Sequence, residues 1–360
     1  MGTFVLSRAF AHNFRISKTR TIRSRRPNAA TGTPEPQPTD IRLGRIVRLL
    51  MEHATVVVSG TKIAQEVSSS RSEVWRLVQQ LRSMGVDVAG HPATGYQLRS
   101  VPDLLLPDVL QPLLRGTIFS GNLHHFYKID STNTSAMAAA AEGAPEGSVF
   151  LAEEQTAGRG RGSNTWVSPR STGIYCSVVL RPKLPPRDVL VLSLAAGLAV
   201  QAAIQQVDAR VTSDLKWPND VLIGKSKVCG ILTEMNAEAT RVRYIVVGIG
   251  INVNQATFPK ELGATSLRLT TGSEWSRVEL ATALLKSLDR EYRNLLEDRD
   301  SRPSILARFA ESSSWVMGKK VRIEEAGLAG TTDGLDSNGF LQLRTAKGTE
   351  LVLSGTVREA

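Results

Sequence analysis

Between positions 41 and 100, apolar residues recur three times with a helical period, and this pattern limits the segment to a small three-helix unit. The third helix, 71–84, has the clearest limits, because Ser70 and Glu73 form a capping box at its start and Gly85 follows its last turn. The three apolar faces consist of Ile46, Val47, Leu49 and Leu50, then of Ile63, Ala64 and Val67 behind a cap at Thr61, and then of Val74, Leu77, Val78 and Leu81.

Two short strands are predicted directly after these helices, at 86–89 and 96–99, with a turn at 90–95 between them. Three helices followed by a hairpin form the order of a winged helix-turn-helix domain, which we place at residues 41–100. The third helix of such a domain reads DNA, although a winged helix can instead serve protein contacts or regulation. The outward side chains of this helix that suit base edges or phosphates are Ser72, Arg76, Gln79 and Gln80.

The positive charge of the chain is concentrated in its first hundred residues, within a formal net charge of +10. Residues 1–40 hold seven basic and two acidic side chains, residues 41–100 hold eight and four, and the remaining 260 hold 29 and 28. A basic N-terminal part on a nearly neutral body is expected of a protein that binds a polyanion there. A solvated basic face is the alternative interpretation.

Two segments have the composition of irregular structure. Residues 1–40 are rich in Arg, Ser and Thr and end in a proline-rich stretch, which predicts a disordered basic tail. The lack of acidic residues before Glu35 is also typical of an organelle transit peptide, and a dispensable extension or a misplaced start codon is the other interpretation. Three prolines mark a second segment, which we predict to be a linker at 101–115.

Residues 116–315 alternate between strand and helix patterns, which indicates an α+β domain, and residues 316–360 hold only short strands, which is typical of a small β-barrel. The predicted strands of both parts are 126–129, 148–153, 174–180, 211–217, 228–235, 242–251, 320–324, 340–344 and 351–353. The predicted helices are 132–142, 188–207 and one from a capping box at Ser276 to about Leu296.

Membrane insertion and disulfide bonding are not expected. The richest apolar stretch, 189–200, is too short to span a bilayer. Cys176 and Cys229 lie in apolar runs and cannot build a disulfide framework or a metal-ligand cluster, which fits a reducing compartment. We therefore expect a soluble, cytoplasmic protein with no membrane partner.

Two motifs in the first half of the α+β domain have groups suited to anions and polar ligands. Asp130–Asn133 places hydroxyl and amide groups at the start of a predicted helix, where they can bind a polar ligand or simply cap the helix. Gln155–Gly162 alternates Gly with Arg, so its two guanidinium groups can close over phosphates on a loose backbone. It has neither a Walker sequence nor Rossmann glycine spacing, and a flexible basic loop is the alternative.

Two further motifs lie in the second half of that domain. Lys216–Asp220 is followed by Lys227, and two lysines at the edges of apolar strands, beside Asn and Asp, suit a carboxylate and a triphosphate with Mg²⁺. In Val247–Asn254, glycines let a ligand approach the backbone, while Asn252 and Asn254 offer amide groups. A packed, bent strand is the alternative for this last motif.

Together, in this order and spacing, these motifs resemble those of the biotin–protein ligase family. The matches are Asp-Ser-Thr-Asn, Gln-Thr-Ala-Gly-Arg-Gly-Arg, Lys-Trp-Pro-Asn-Asp, Lys-Val-Cys-Gly-Ile-Leu and Gly-Ile-Gly-Ile-Asn, within residues 41–360. With the winged helix in front, the chain is similar to the bifunctional branch, in which the ligase is also the repressor of the biotin operon. The resemblance implies a central mixed-sheet domain like that of class II aminoacyl-tRNA synthetases and a C-terminal SH3-like barrel.

The resemblance also implies a reaction in two steps. ATP and biotin form biotinyl-5′-AMP, and a lysine of the biotin carboxyl carrier protein of acetyl-CoA carboxylase then takes the biotin. The implied biotin site consists of Ser131, Thr132, Asn133, Gln155, Arg159, Gly160, Arg161, Lys227 and Gly230. The implied ATP or adenylate site consists of Arg161, Trp166, Lys216, Asn219, Asp220 and Asn252, with Asp220 as a ligand of Mg²⁺. The residues implied to promote catalysis are Arg159, Arg161, Lys216 and Lys227.

A homodimer on biotin operator DNA is the implied regulatory form. Two alternatives stay open: a lipoate–protein ligase, against which the Gly-Arg-Gly-Arg and Lys-Trp-Pro-Asn-Asp motifs argue, and a biotin-sensing regulator that transfers nothing. The chain departs from the family pattern at two places. Residues 162–166 lack the extra basic residues of some relatives, and Asp333–Asp336 stands where the family often has Arg before Gly-Ile-Asp.

Overall fold

The structure, a computed structural model, describes residues 38–91, 93–100, 103–297 and 301–360. The predicted basic tail therefore lies outside the described residues, except for its last three positions, which begin the first helix. Position 92 of the predicted hairpin turn and positions 101 and 102 of the predicted linker also lie outside them.

The first part of the chain has the three helices and the hairpin that the apolar pattern predicts. The apolar faces of the helices pack into one buried cluster, with Leu43, Ile63 and Leu77 fully buried in it. The two hairpin strands are antiparallel, with Val88 opposite Leu98. The bounds are α1 Pro38–Glu52, α2 Gly60–Glu66, α3 Arg71–Ser83, β1 Val88–His91 and β2 Gly95–Leu98.

Two predicted caps differ in detail. The cap of α2 is Ser59 rather than Thr61, since the Ser59 hydroxyl accepts a hydrogen bond from Lys62 N at 3.1 Å. Ser70 caps α3 as predicted and accepts from Glu73 N at 3.2 Å. The Glu73 carboxylate, however, is bound by the nearby Arg76 guanidinium at 2.7 Å, so the capping box is only half formed.

The predicted linker at 101–115 contains a helix, α4, Pro107–Leu113. Pro107 stands in the first helical turn, where its missing N–H costs nothing. Leu105 and Leu110 are fully buried in the core of the following domain. Pro107 thus starts a packed helix, and Pro112 lies inside it.

The central part is a seven-stranded mixed sheet with the strand order β3-β4-β5-β9-β8-β7-β6. Only β3 and β4 run parallel, and the long strand β9 lies near the middle, between β5 and β8. The bounds are β3 Leu123–Phe126, α5 Thr132–Ala141, β4 Val149–Ala152, β5 Gly173–Leu180, α6 Val189–Val207, β6 Asp214–Lys216, β7 Asp220–Ile223, β8 Ser226–Ala237, β9 Val242–Asn252, α7 Leu267–Thr271 and α8 Arg277–Glu297.

The predicted strand at 211–217 is instead a short hairpin arm. Within it, only Asp214–Lys216 forms a strand, β6. The chain then turns into β7, which the sequence pattern does not predict, and Lys216 lies opposite Asp220. The strand predicted at 126–129 lies three residues earlier, although Ile129 still forms an isolated bridge with Gln155.

The expectation that no apolar stretch is long enough to span a bilayer was wrong. Within Pro186–Val207, a stretch of 18 residues is long and apolar enough by composition, with a mean hydropathy of 1.6. However, 83% of it is buried inside the protein, where α6 packs against α8 and the sheet. Its apolar character is therefore that of a core helix.

The last part begins with a helix, α9, which the sequence analysis did not predict. A five-stranded antiparallel sheet of order β13-β12-β11-β10-β14 follows. It is tied to the central part by the indole Nε1 of Trp217, which donates to the Gly339 carbonyl oxygen at 2.9 Å. The bounds are α9 Ser301–Glu311, β10 Met317–Ile323, β11 Leu328–Leu335, β12 Leu341–Thr345, β13 Gly348–Val352 and β14 Val357–Glu359.

Candidate functional site

A buried polar floor joins the start of α5 to the middle of the sheet. The Ser177 hydroxyl of β5 lies 2.8 Å from Thr132 Oγ1 and 2.5 Å from Asn133 Oδ1, and its single hydrogen can be donated to either oxygen. Asn133 Nδ2 in turn donates to the Leu232 carbonyl oxygen at 3.2 Å. Buried groups linked in this way hold each other in place, so they offer a rigid surface for a polar ligand.

Gln155 connects the helix start to the following loop. Its Oε1 accepts from the backbone nitrogen of Thr132 at 2.8 Å and from Thr132 Oγ1 at 3.1 Å, while its Nε2 donates to Ser168 Oγ at 2.8 Å. Ser131 is the N-cap residue, but its side chain makes no capping bond to the helix. The amide of Gln155, rather than a Ser131 hydroxyl, therefore satisfies the first turn of α5.

The Gly-Arg motif folds into a small hairpin, which we call the flap (residues 158–166). Arg159 lies opposite Thr165, the Gly160 nitrogen donates to the Asn164 oxygen at 2.8 Å, and the Trp166 nitrogen donates to the Gly158 oxygen at 2.9 Å. The flap is therefore an ordered element whose two arginines project from defined positions.

Arg159 of the flap reaches the polar floor. Its guanidinium lies 2.5 Å from Glu234 Oε1, and Glu234 also accepts from Asn133 Nδ2 at 3.2 Å. Glu234 is buried in β8, where the sequence analysis predicted only strand and assigned no function. The pair neutralises a charge that would otherwise be costly to bury.

Arg161 points toward the junction with the C-terminal sheet. It donates to Asn219 Oδ1 at 2.8 Å and lies near the Gly355 carbonyl oxygen at 3.4 Å. Burial lowers the pKa of the Arg161 guanidinium, and the charges of Asp220 and Glu325 oppose that effect. The group remains a cation, because an arginine does not lose its proton in a protein.

The lysines of the third motif gather on the same side. Lys227 Nζ lies 2.6 Å from Asp220 Oδ1 and 5.5 Å from the centroid of the Trp166 ring. Lys216 Nζ lies 4.2 Å from the centroid of the Trp315 ring. Burial lowers the pKa of the Lys216 ammonium, Asp220 raises it, and Arg358, Lys227 and Lys319 lower it further. A collection of repelling cations of this kind favours a bound anion.

Trp166 covers two glycines of the sheet. A Cβ atom on Gly250 would lie 2.5 Å from the Trp166 ring, and one on Gly230 would lie 2.9 Å from it. Trp166 Nε1 is buried, and no hydrogen-bond acceptor for it is found in the part of the chain that the structure describes. A ligand between the flap and the sheet could supply that acceptor.

Two sequence predictions need qualification. The Asn252 amide is buried, and its Nδ2 donates to the Thr265 carbonyl oxygen at 3.0 Å, so it holds the loop after β9. Across the described residues, no group of three or more His, Cys, Asp or Glu side chains could hold a metal ion. Asp220 is thus a single carboxylate beside Lys227, not part of an all-protein metal cage.

The four residues predicted to read DNA lie on α3, apart from this site. Ser72 and Arg76 are exposed, whereas Gln79 and Gln80 are half-buried. Residues that the sequence analysis missed, because nothing local marks them, are Ser168, Ser177, Glu234, Trp315 and Lys319.

Comparison with known proteins identifies two families along the chain. Residues 125–252 match the Biotin/lipoate A/B protein ligase family, and residues 42–97 match a family described as HTH domain. The chain is 34% identical over 320 residues to the "Bifunctional ligase/repressor BirA" of Bacillus spizizenii, covering 87% of this chain and 97% of that protein. It is 35% identical over 234 residues to the "Biotin--[acetyl-CoA-carboxylase] ligase" of Mycobacterium tuberculosis, covering 63% of this chain and 85% of that one.

A solved structure shares the fold of the ligase part. It is the biotin protein ligase from Aquifex aeolicus in complex with biotin and ATP, with a TM-score of 0.58 and 30% identity, covering 67% of this chain and all of that one. The chain therefore belongs to the biotin–protein ligase family, and within it to the members that carry an N-terminal helix-turn-helix domain.

Proposed function

We propose that this chain is an ATP-dependent biotin–protein ligase that forms biotinyl-5′-AMP, transfers biotin to a lysine of the biotin carboxyl carrier protein, and represses biotin genes by binding their operator. The observation that carries the ligase proposal is the set of three cations along one end of the sheet: Arg159 pairs with Glu234 beside the Thr132–Asn133 floor, Arg161 bonds Asn219, and Lys227 pairs with Asp220. The name of the Bacillus spizizenii relative, which joins a ligase and a repressor, supports both activities, and the name of the Mycobacterium tuberculosis relative supports the ligase.

The first step pairs two anions, and cations favour it. An oxygen of the biotin carboxylate attacks the α-phosphorus of ATP, a P–O bond breaks, and pyrophosphate leaves. Lys227 and Arg161 would neutralise the carboxylate and the charge that develops at phosphorus, and Lys216 would hold the leaving phosphates. Mg²⁺, held by Asp220 and the phosphates themselves, would stabilise the charge on the leaving group.

The second step needs water to be excluded. The amine of the carrier lysine attacks the carbonyl carbon of the mixed anhydride, AMP leaves, and the amine loses a proton. Water would hydrolyse the same anhydride, so the flap with Trp166 would act as the cover over it. The buried Trp166 Nε1 supports this role, because a ligand oxygen would satisfy it.

Finer aspects of the architecture belong to the same proposal. The antiparallel order of the last five strands supports an SH3-like barrel, and the mixed sheet supports the likeness to class II aminoacyl-tRNA synthetases. A cytoplasmic homodimer on DNA follows from the proposed repressor function. The proposed domains are residues 41–100, a connecting segment to 115, 116–315 and 316–360.

A transfer assay tests the ligase proposal. The protein is incubated with ATP-Mg²⁺, biotin and a carrier domain, and biotin on the carrier lysine is detected by mass spectrometry. We expect a labelled carrier, and none without ATP or with the acceptor lysine replaced. Transfer of lipoate instead of biotin would identify a lipoate ligase, and no transfer of either would favour a sensor without ligase activity.

The repressor proposal has its own assay. Gel shifts with the DNA upstream of the organism's biotin genes are run with and without biotin and ATP at one fixed salt concentration. We expect a specific complex that strengthens when both small molecules are present. A protein that transfers biotin but never distinguishes this DNA from random DNA would be a ligase only.

Replacing Gly248 by alanine should weaken biotin binding about tenfold, a loss of ~1.4 kcal/mol. The added Cβ would overlap Asn133 Oδ1 and push that amide off the polar floor. Isothermal titration calorimetry with biotin measures the effect, and Gly121→Ala serves as the control, because nothing lies within 4 Å of its added Cβ. Unchanged affinity in Gly248→Ala would remove Asn133 from the biotin site.

A further inference from the structure

Trp75 is exposed at an unusual place. Its side chain is 58% exposed, and no other Trp, Tyr or Phe in the described part of the chain is as exposed to solvent. It lies on the outer face of α3, one turn after Ser72 and next to Arg76, while Val74 and Leu77 fill the core behind it. A large aromatic group left in water on the helix predicted to read DNA suggests that a partner covers it.

The surroundings of Trp75 favour a polyanion as that partner. A groove of about 480 Å³ lies between α3 and the hairpin, and Trp75 lines it together with Arg71, Arg82 and His91. No carboxylate is among the described residues that line this groove. Arg82 also donates to the Val88 carbonyl oxygen at 2.9 and 2.8 Å, so the hairpin is tied to α3 and the groove keeps its shape.

DNA offers one apolar group to a side chain in its major groove, the C5-methyl group of thymine. We propose that Trp75 contacts such a methyl group and makes this chain select thymine at that position of its binding site. The inference rests on the proposed DNA binding and adds a residue to it that determines specificity. Ser72 and Arg76 flank Trp75 on the same face and would reach the neighbouring base edges and phosphates.

The test combines a change in the protein with a change in the DNA. Binding sequences are first selected from a random library with the full chain, biotin and ATP, and each thymine is then replaced singly by deoxyuridine, which removes only the methyl group. Affinities are measured by fluorescence anisotropy at one salt concentration. For the wild type, one or two replacements should weaken binding about fourfold, the factor expected for one buried methyl-sized group.

The variants decide the assignment. Trp75→Ala should bind more weakly and lose nothing further when the critical methyl group is removed, whereas Trp75→Phe should keep the sensitivity. Val56→Ala, which truncates another exposed apolar side chain of the same unit, should behave as the wild type. Retained binding of Trp75→Ala to random DNA shows that the unit is folded.

Three results would overturn the inference. Equal methyl sensitivity in Trp75→Ala and the wild type would place the contact elsewhere, and insensitivity of the wild type at every thymine would exclude it. A change in self-association on sedimentation, without a change in methyl sensitivity, would show that a second copy of the chain covers Trp75. If no sequence is selected at all, the proposed DNA binding itself fails, and the ligase proposal is untouched.

Discussion

Replacing Lys227 by alanine is expected to lower the rate of adenylate formation by about a hundredfold or more, the usual effect of removing one preorganised charge from a transition state. The Lys227 ammonium lies 2.6 Å from Asp220 Oδ1 and 5.5 Å from the centroid of the Trp166 ring of the flap. Without it, Arg161 and Lys216 would still offset the charge of Asp220, but the biotin carboxylate would lose the cation that is proposed to hold it. Exchange of labelled pyrophosphate into ATP, with biotin present, measures the step.

Lys225 provides the matched control for this experiment. It stands two positions earlier, in the exposed turn between β7 and β8, and Lys225→Ala removes the same charge from the chain without touching the site. We expect its exchange rate to remain within about twofold of the wild type, because surface charges have small effects. A wild-type exchange rate in Lys227→Ala would show that another cation binds the biotin carboxylate.

Replacing Glu153 by alanine is expected to lower the free energy of unfolding by about 3–5 kcal/mol, because it removes the buried carboxylate of the Arg277 ion pair and leaves Arg277 with the partly exposed Asp103 as its partner. The Glu153 side chain is fully buried, and it accepts from Arg277 at 2.7 Å, from His125 at 3.2 Å and from the Leu105 nitrogen at 3.0 Å. Urea denaturation followed by circular dichroism measures the loss. The neighbouring Glu154 is the control: it pairs with Lys128 and Arg170 near the surface, and Glu154→Ala should cost less than about 1 kcal/mol.

The same carboxylate gives the stability a defined pH dependence. Burial by itself raises the pKa of Glu153, but the charge of Arg277 and the bonds from His125 and Leu105 outweigh it and hold the pKa at about 2, below the ordinary value of 4.5. Its stabilising contribution is therefore complete above pH 4.5 and is lost as the pH falls toward 2. The free energy of unfolding, measured by urea denaturation at pH 6 and pH 3, should fall less between these pH values in Glu153→Gln than in the wild type. An equal fall in both proteins would exclude Glu153 as the cause of the pH dependence.

Local sequence patterns predict the helices and strands whose apolar residues recur with a regular period. They do not predict the elements whose structure is determined by tertiary contacts. The faces of α1 to α3 were readable because Val74, Leu77 and the other core residues follow the helical period. The helix α4 has no local signal, because its prolines are typical of a connecting segment, and β11 has none because its sequence, Leu-Ala-Gly-Thr-Thr-Asp-Gly-Leu, is too polar and glycine-rich for a recognisable strand.

The candidate site divides in the same way. Arg159, Arg161 and Lys227 stand in short contiguous motifs, so the sequence alone predicts them as site residues. Their partners come from distant strands: Glu234 is 75 positions from Arg159, and Ser177 is 44 positions from Asn133. An isolated Glu or Ser within an apolar strand has no local signal of function, so only the folded sheet identifies it.

The strand order of the central sheet also determines when a nascent chain can complete it. β9 lies between β5 and β8, so the first three strands expose an open edge at β5 until residue 252 has left the ribosome. The helix-turn-helix unit, whose core consists mainly of residues 43–109, can by contrast close while synthesis continues. A pause in translation before β9 would therefore leave a soluble N-terminal unit joined to an aggregation-prone half-sheet, which is the stage at which a chaperone would be needed.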